Sequence, residues 1–102
     1  MSRVLTVAHA RVAAADEAEY LDLLEVLTRR LAARGQHLWL FRERGVAGSF
    51  MEFTEGSDEA THRAAGPADP EEAAIEARLA VLATYLETRS VRWDEVSFRA
   101  TG

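Results

Sequence analysis

The stretch HLWLFRERGVAGSFMEF, residues 37–53, constrains the fold more than any other part of the chain. Two apolar and aromatic runs flank a glycine-bearing turn, Gly45-Val46-Ala47-Gly48, which is the pattern of a β-hairpin. Side chains alternate across a strand, so a hairpin with one wet face carries large apolar residues at every second position only. Here they fall on both parities, and both faces of the sheet need a cover. The simplest register pairs Arg44 with Ser49, Arg42 with Met51 and Leu40 with Phe53. It puts Leu38, Leu40, Met51 and Phe53 on one face and His37, Trp39, Phe41, Glu43, Phe50, Glu52 and Thr54 on the other. A slip of one residue regroups these sets. The stated register is preferred because it isolates a purely apolar face.

The flanking elements say what lies around the hairpin. VLTVAHARV, residues 4–12, alternates as a first strand, with Leu5, Val7, His9 and Arg11 on one face. DEAEYLDLLEVLTRRLAARG follows with apolar residues at helical spacing, Tyr20, Leu23, Leu24, Leu27 and Leu31. Asp16 and Glu19 are spaced as a capping box, and Gly35 is placed to end the helix, predicting a span of 17–34. After the hairpin comes a connection in which Ser57 is placed to cap a short helix over 58–65. Asp69-Pro70-Glu71-Glu72 then reads as a helix start, N-cap followed by Pro at the first position. Ile75, Leu79, Leu82 and Leu86 continue that helix over roughly 70–88, and VRWDEVSFRA, residues 91–100, reads as a last strand.

The element order is β-α-β-β-α-β, and short right-handed connections make one α+β domain over residues 1–102 the simplest solution. The expected architecture is a ferredoxin-like sandwich: a four-stranded antiparallel sheet in the order 4-1-3-2 with both helices on one face. Leu38, Leu40, Met51 and Phe53 would lie under the helices. Leu5, Val7, His37, Trp39, Phe41 and Phe50 would lie on the bare face, an apolar patch that a second copy covers about a two-fold axis. A homodimer is therefore expected.

Composition removes several functions. Seventeen acidic residues against twelve basic ones, net charge −5, oppose binding to phosphate backbones or anionic lipid. No apolar run approaches the ~20 residues of a membrane span, and MSRVLTVAHA reads as a strand rather than a signal peptide. The chain has no cysteine, which excludes disulfides, thiolate metal sites and a cysteine nucleophile, and fits a cytoplasmic protein. All twelve Lys/Arg positions are Arg and Asn is absent, which with abundant Ala suggests a GC-rich bacterial source. No glycine-rich phosphate loop precedes a helix and no serine elbow occurs.

The opening strand VLTVAHARV, the helix DEAEYLDLLEVLTRRL, the aromatic hairpin, the segment MEFTEGSDEATHRAAG and a closing strand together resemble the dimeric α/β-barrel superfamily. Within it they resemble the small single-domain proteins related to antibiotic-biosynthesis monooxygenases. The resemblance covers nearly the whole chain and rests on patterns rather than a fingerprint. It implies a cofactor-free oxygenase as one function among several the fold carries. The haem-degrading members use an Asn, a Trp and a His; Trp39 and His62 have matching types, but the chain holds no Asn. Neither cofactor nor intrinsic metal is expected.

The resemblance places a His after the third strand at the cleft between helices and sheet, which makes His62 the candidate general base toward a phenolic or enolic substrate. An exposed His beside Glu59 and Arg63 is the plainer account. Leu38, Leu40, Met51, Phe53 and Tyr85 are the candidate substrate walls, with the 57–69 connection as a gate. Trp39, Phe41, Phe50, Tyr85 and Trp93 suit a flat apolar ligand, although core and interface packing explains them with no ligand and is the simpler reading. Tyr20 and Tyr85 are candidate hydroxyl donors toward a substrate oxygen, against the plainer reading of an apolar ring in the core with its hydroxyl at the rim. His9, His37 and Glu52 have the donor types of a facial metal site but not its spacing; polar partners in an interface are the simpler reading. Two functions compete: a cofactor-free enzyme on a small aromatic or polyketide-like molecule, and a non-catalytic dimer that binds a small ligand or serves an accessory role. A cavity beneath the second helix reached by a titratable group favours the first, a filled space the second.

Overall fold

The computed structural model describes residues 3–86 and 91–98. Strand β1, Val4–Val12, leads through a 3-10 turn, Ala14–Asp16, into helix α1, Glu17–Ala32. The hairpin strands β2, His37–Arg42, and β3, Ser49–Gly56, follow. A 3-10 turn at Arg63–Ala65 precedes helix α2, Pro70–Leu82, which passes directly into β4, Ala83–Tyr85; β5 is Arg92–Asp94. The antiparallel sheet has the order β2-β3-β1-β4, with β5 also paired to β1. This is the expected ferredoxin-like order, read from the other edge. The edge expected to hold a single fourth strand holds two short ones: β5, inside the expected 91–100, against Val4–Thr6, and β4, from the segment expected to be helical, against Ala10–Val12.

One face of the sheet is covered by both helices. Ala10, Val12, Leu38 and Phe50 from the strands pack with Tyr20, Leu24, Leu27 and Leu31 of α1 and Ile75, Leu79 and Leu82 of α2 in one core. Alternation along β1 is clean: Val4, Thr6, Ala8, Ala10 and Val12 are buried, while Leu5, Val7 and His9 between them are half-buried.

The hairpin register differs from expectation by one residue. Arg42 pairs with Phe50, Leu40 with Glu52 and Leu38 with Thr54. The reason is the loop. Glu43 still belongs to the ladder, donating its N–H to Ser49 at 2.9 Å, so the connection is the five residues 44–48 rather than four. An odd count reverses the face of every residue in β3 relative to β2. Met51 and Phe53 therefore lie on the face away from the helices, and Phe50 and Glu52 lie under them, the reverse of the sequence reading. Leu38 and Leu40 keep their expected side, as do Leu5, Val7, His37, Trp39 and Phe41.

Gly35, at φ 79°, closes α1: its N–H reaches Ala32 O at 3.1 Å and the Gln36 N–H reaches Leu31 O at 2.9 Å, the double bond of a Schellman end. The expected capping box does not form; Asp16 makes no side-chain cap bond, and Glu19 instead holds Arg78 of α2 at 2.6 Å. At α2, Asp69 caps as expected, accepting from Glu72 N–H at 2.8 Å. The helix predicted over 58–65 is reduced to the turn at Arg63–Ala65, and α2 stops at Leu82 because Ala83–Tyr85 pair with β1 instead. Residues 87–88 of the expected helix and 99–100 of the expected last strand lie outside the described residues.

Glu72 ties the helices together. It is fully buried and accepts a bidentate pair from Arg34, 2.7 and 3.0 Å, plus the Ala68 N–H at 3.0 Å. The Arg34 hydrogen bonds hold its pKa below the ordinary glutamate value, against the opposing effect of burial. A carboxylate with a lowered folded-state pKa stabilises the protein above the ordinary range and loses that contribution as pH falls through the lowered value. Urea midpoints should therefore drop on acidification. In Glu72→Gln the drop should be shallower and the neutral-pH midpoint lower; an unchanged acid slope would show that Glu72 does not contribute to it.

Candidate active site

A glutamate on the helix side of a strand needs a reason to be buried. Glu52 of β3 is 1% exposed on the helix side, and desolvating a carboxylate costs several kcal/mol unless it is paired and hydrogen-bonded. Three elements converge to satisfy it. Tyr20 of α1 donates its hydroxyl to Oε2 at 2.7 Å, and Tyr85 of β4 donates to the same oxygen at 2.6 Å. Arg63, from the connection after β3, donates Nη1 to Oε1 at 2.8 Å. The same guanidinium reaches Glu76 of α2 with Nε at 2.7 Å and Nη2 at 2.9 Å. Arg63 is thus a buried bridge from the sheet to α2.

Each local fold explains its contribution. Glu52 points inward because it shares parity with Phe50 and Thr54. Tyr20 is completely buried near the start of α1, where its ring packs at 5.2 Å on Phe50. Tyr85 faces inward because β4 pairs it with Ala10, whose side chain is on the helix side. Burial, then the charge and hydrogen bond of Glu52, push the Tyr20 hydroxyl pKa well above its ordinary value, so it is a fixed neutral donor. Burial works against the Arg63 cation, but hydrogen bonding to Glu76 and the charges of Glu52 and Glu76 hold its pKa above the ordinary arginine value.

His62 takes a different place from the one expected of a general base. It is fully buried, and both ring nitrogens are engaged by backbone. Ala64 N–H donates to Nδ1 at 3.0 Å, so the proton sits on Nε2, which donates to Thr54 O at 3.0 Å. That arrangement clamps the 57–69 connection onto β3 and leaves neither nitrogen for a substrate; His62 is not on an exposed helix face either. Gln36 adds a second clamp, donating to Thr61 O and accepting Arg63 N–H at 3.2 Å. The expected gate is pinned from both sides.

The remaining expected residues separate. Leu38 is core, and Leu40 lines an open groove of about 320 Å³ with Leu21, Arg42 and Phe50 between α1 and the sheet edge. Met51 and Phe53 face away, Phe53 meeting Phe41 edge-on at 5.5 Å. Tyr85 is in the cluster. Glu52 cannot join His9 and His37, because they lie on the opposite face of the sheet. His37 contacts Glu55 at 3.0 Å, and His9 contacts Ser49 at 2.8 Å, whose hydroxyl donates to Glu43 at 2.7 Å. Among the described residues no group of His, Cys, Asp and Glu is arranged to hold a metal ion.

Sequence reasoning reaches Tyr20 and Tyr85 as candidate hydroxyl donors, but it missed Glu52 as a buried group on the helix side, Arg63 and Glu76. The available signal was the parity of Glu52 relative to Phe50, which the loop count decides. Beside the cluster lies a space of about 20 Å³ bounded by Thr6, Ala8, Glu52, Thr54, Arg63 and Ala64. That is room for about one water molecule.

No protein-family profile and no curated protein sequence matches the chain. Among solved structures it is similar to SnoaB, a cofactor-independent oxygenase from Streptomyces nogalater, at 21% identity and TM-score 0.69 over 99% of this chain and 98% of that one. An asparagine-to-alanine mutant of the same enzyme aligns with TM-score 0.70 and 20% identity over 98% and 96%. The likeness runs end to end and establishes the shared ferredoxin-like fold.

Proposed function

We propose that the chain is a small cytoplasmic, homodimeric, cofactor-independent oxygenase acting on a small aromatic or polyketide-like substrate. The single observation that carries this reading is the buried Glu52, with two tyrosine hydroxyls and Arg63 converging on it, in a chain whose whole length shares its fold with such an oxygenase. Without a cofactor, the electrons that reduce dioxygen come from the substrate. An acidic phenol, or a CH2 activated by neighbouring carbonyl or aryl groups, must first lose a proton to give an electron-rich anion. Oxidation of such a CH2 balances as CH2 + O2 → C=O + H2O, with no external reductant. The protein's share is a proton acceptor, donors that hold the anion, and exclusion of water. Glu52 supplies the acceptor, Tyr85 the hydroxyl link to it, and Tyr20 and Arg63 the fixed donors.

A second reading, a dimer that binds a small ligand without turnover, is favoured by the small volume of the helix–sheet space, about 20 Å³, which a substrate must enlarge. Dioxygen uptake with aromatic substrates bearing an acidic CH2 or hydroxyl separates the two. The enzyme reading expects uptake that falls on the order of 10²–10⁴-fold in Glu52→Gln, the usual worth of a proton acceptor, with an unchanged circular dichroism spectrum. Ligand binding with no uptake supports the second reading. The described residues include no helix long and apolar enough to cross a membrane.

A further inference from the structure

Arg63 serves two carboxylates and divides itself between them unequally. Nε and Nη2 form a bidentate pair with Glu76 of α2, at 2.7 and 2.9 Å. Glu52 receives Nη1, at 2.8 Å on Oε1, and the same nitrogen lies 3.4 Å from the Thr54 hydroxyl. The three side chains run from the interior toward the surface, with Glu52 0% exposed, Arg63 5% and Glu76 14%. One buried guanidinium needs one carboxylate for neutrality, and burying a second carboxylate carries its own desolvation cost. Either glutamate meets that need, so stability alone does not account for the pair. The other charged and titratable groups packed around the cluster are engaged elsewhere. Arg34 of α1 is held bidentately by Glu72, and Arg92 of β5 pairs with Glu59 at 3.1 Å. His62 spends both nitrogens on backbone groups.

We infer that Glu76 is a positioning residue for the proton acceptor: by holding Nε and Nη2 it lets Arg63 reach only Oε1 of Glu52 and leaves Oε2 to the neutral hydroxyls. A guanidinium is a planar fork, and two of its donors on one carboxylate fix its plane. With that plane fixed, Oε2 keeps Tyr20 and Tyr85 at 2.7 and 2.6 Å, the side from which a substrate proton arrives through Tyr85. Released from Glu76, the fork is free to take Glu52 with two donors, putting a cation on Oε2 in place of a tyrosine. The charges act in the same direction. A nearby cation favours the ionised form of a carboxylate and makes it a weaker proton acceptor, whereas a second carboxylate on that cation offsets the effect. Arg63 thus keeps Glu52 buried and fixed, and Glu76 keeps it basic enough to take a proton. The inference rests on the oxygenase reading and names the residue that tunes its base.

Two variants separate the charge from the anchor. Glu76→Gln keeps an acceptor for Arg63 and removes the charge; Glu76→Asp keeps the charge. In Glu76→Gln the acid side of the dioxygen-uptake profile should move to lower pH by about one pH unit, and kcat on the plateau should fall on the order of tenfold. KM should stay within about twofold, because Glu76 does not meet the substrate. Glu76→Asp should return the acid side to its place in the unaltered protein. A residue that merely ties α2 to the sheet would not move the profile. An unshifted profile in Glu76→Gln protein of unchanged circular dichroism therefore overturns the inference. A second readout needs no turnover. The side-chain carboxyl ¹³C signal of Glu52, identified by its loss in Glu52→Gln, should titrate at lower pH in Glu76→Gln than in the unaltered protein. An unchanged midpoint overturns the inference. A shifted midpoint in a protein that consumes no dioxygen upholds the tuning by Glu76 and overturns the oxygenase reading instead.

Discussion

Arg63→Met should destabilise the protein by about 3–5 kcal/mol, the usual cost of stripping one partner from a buried ion pair. Glu52 would keep the two tyrosine donors but lose the cation paired with it at 2.8 Å, in a position with 1% exposure. Glu76 would lose both guanidinium bonds at once. Domains of this size have total stabilities of about 5–15 kcal/mol, so the variant would sit near the limit of folding. Urea unfolding of the purified protein measures it. The companion experiment separates the charge from the packing. Glu52→Gln alone should cost less, because Arg63 keeps Glu76 as a partner. Combined with Arg63→Met, it should recover a substantial part of the loss, since the buried charge is then gone. A coupling energy near zero in this double-mutant cycle, or a loss below about 1 kcal/mol for Arg63→Met, would show that the two residues do not act as one unit.

The same cluster has a functional side. A proton acceptor held by three donors is geometrically fixed but crowded, and both oxygens of Glu52 are engaged. A substrate hydroxyl can reach Oε2 only by displacing a tyrosine or by passing its proton through one. Tyr85 is the half-buried member of the pair and Tyr20 the fully buried one, so Tyr85 is the member a substrate can meet.

Much of this arrangement is legible in the sequence, and the rest is hidden for identifiable reasons. β1 and α1 announce themselves through clean periods of two and 3.6, and Asp69-Pro70 announces the start of α2. The need for a second cover follows from Trp39 and Phe41 alone, whichever register holds. The register itself is not legible. β3 reads Phe50, Met51, Glu52, Phe53, with large apolar residues on both parities, so its pattern fits either face. A glutamate in such a strand reads as belonging to the face away from the helices, because the partners that make its burial under them tolerable stand 11 residues later at Arg63 and 32 earlier at Tyr20. Tyr85 reads as helical because Ala83-Thr84-Tyr85-Leu86 continues the spacing of α2; pairing with β1 overrides that local preference. His62 carries the right chemistry for a base, but a sequence does not show that two backbone groups take both of its nitrogens.

The register hangs on Gly48, and its substitution should be the most damaging single methyl added to the chain. Gly48 has φ 74°, and its carbonyl accepts the Val12 N–H at 2.8 Å, fastening the hairpin loop to the end of β1. A Cβ there would stand 2.3 Å from the Val12 carbonyl oxygen, a backbone atom in a paired strand that has no easy way to retreat. Gly45, in the same loop at φ 81°, has nothing within 4 Å of its own would-be Cβ. The two positions therefore share the left-handed backbone penalty, roughly 1–2 kcal/mol for an L residue, and differ only in the collision. Gly45→Ala should cost about that penalty. Gly48→Ala should cost about 2–3 kcal/mol more, since either the Val12 bond breaks or the loop must rebuild. Rebuilding offers no escape. Shortening the loop to four residues would slip β3 by one, turning Phe50 and Glu52 outward and driving Met51 and Phe53 beneath the helices, where Tyr20, Tyr85 and Arg63 would face no carboxylate. Thermal unfolding should show the difference directly, at roughly 4–8 °C per kcal/mol for a domain of this length. If Gly48→Ala melts within a few degrees of Gly45→Ala, the loop is not what fixes the face on which Glu52 lies.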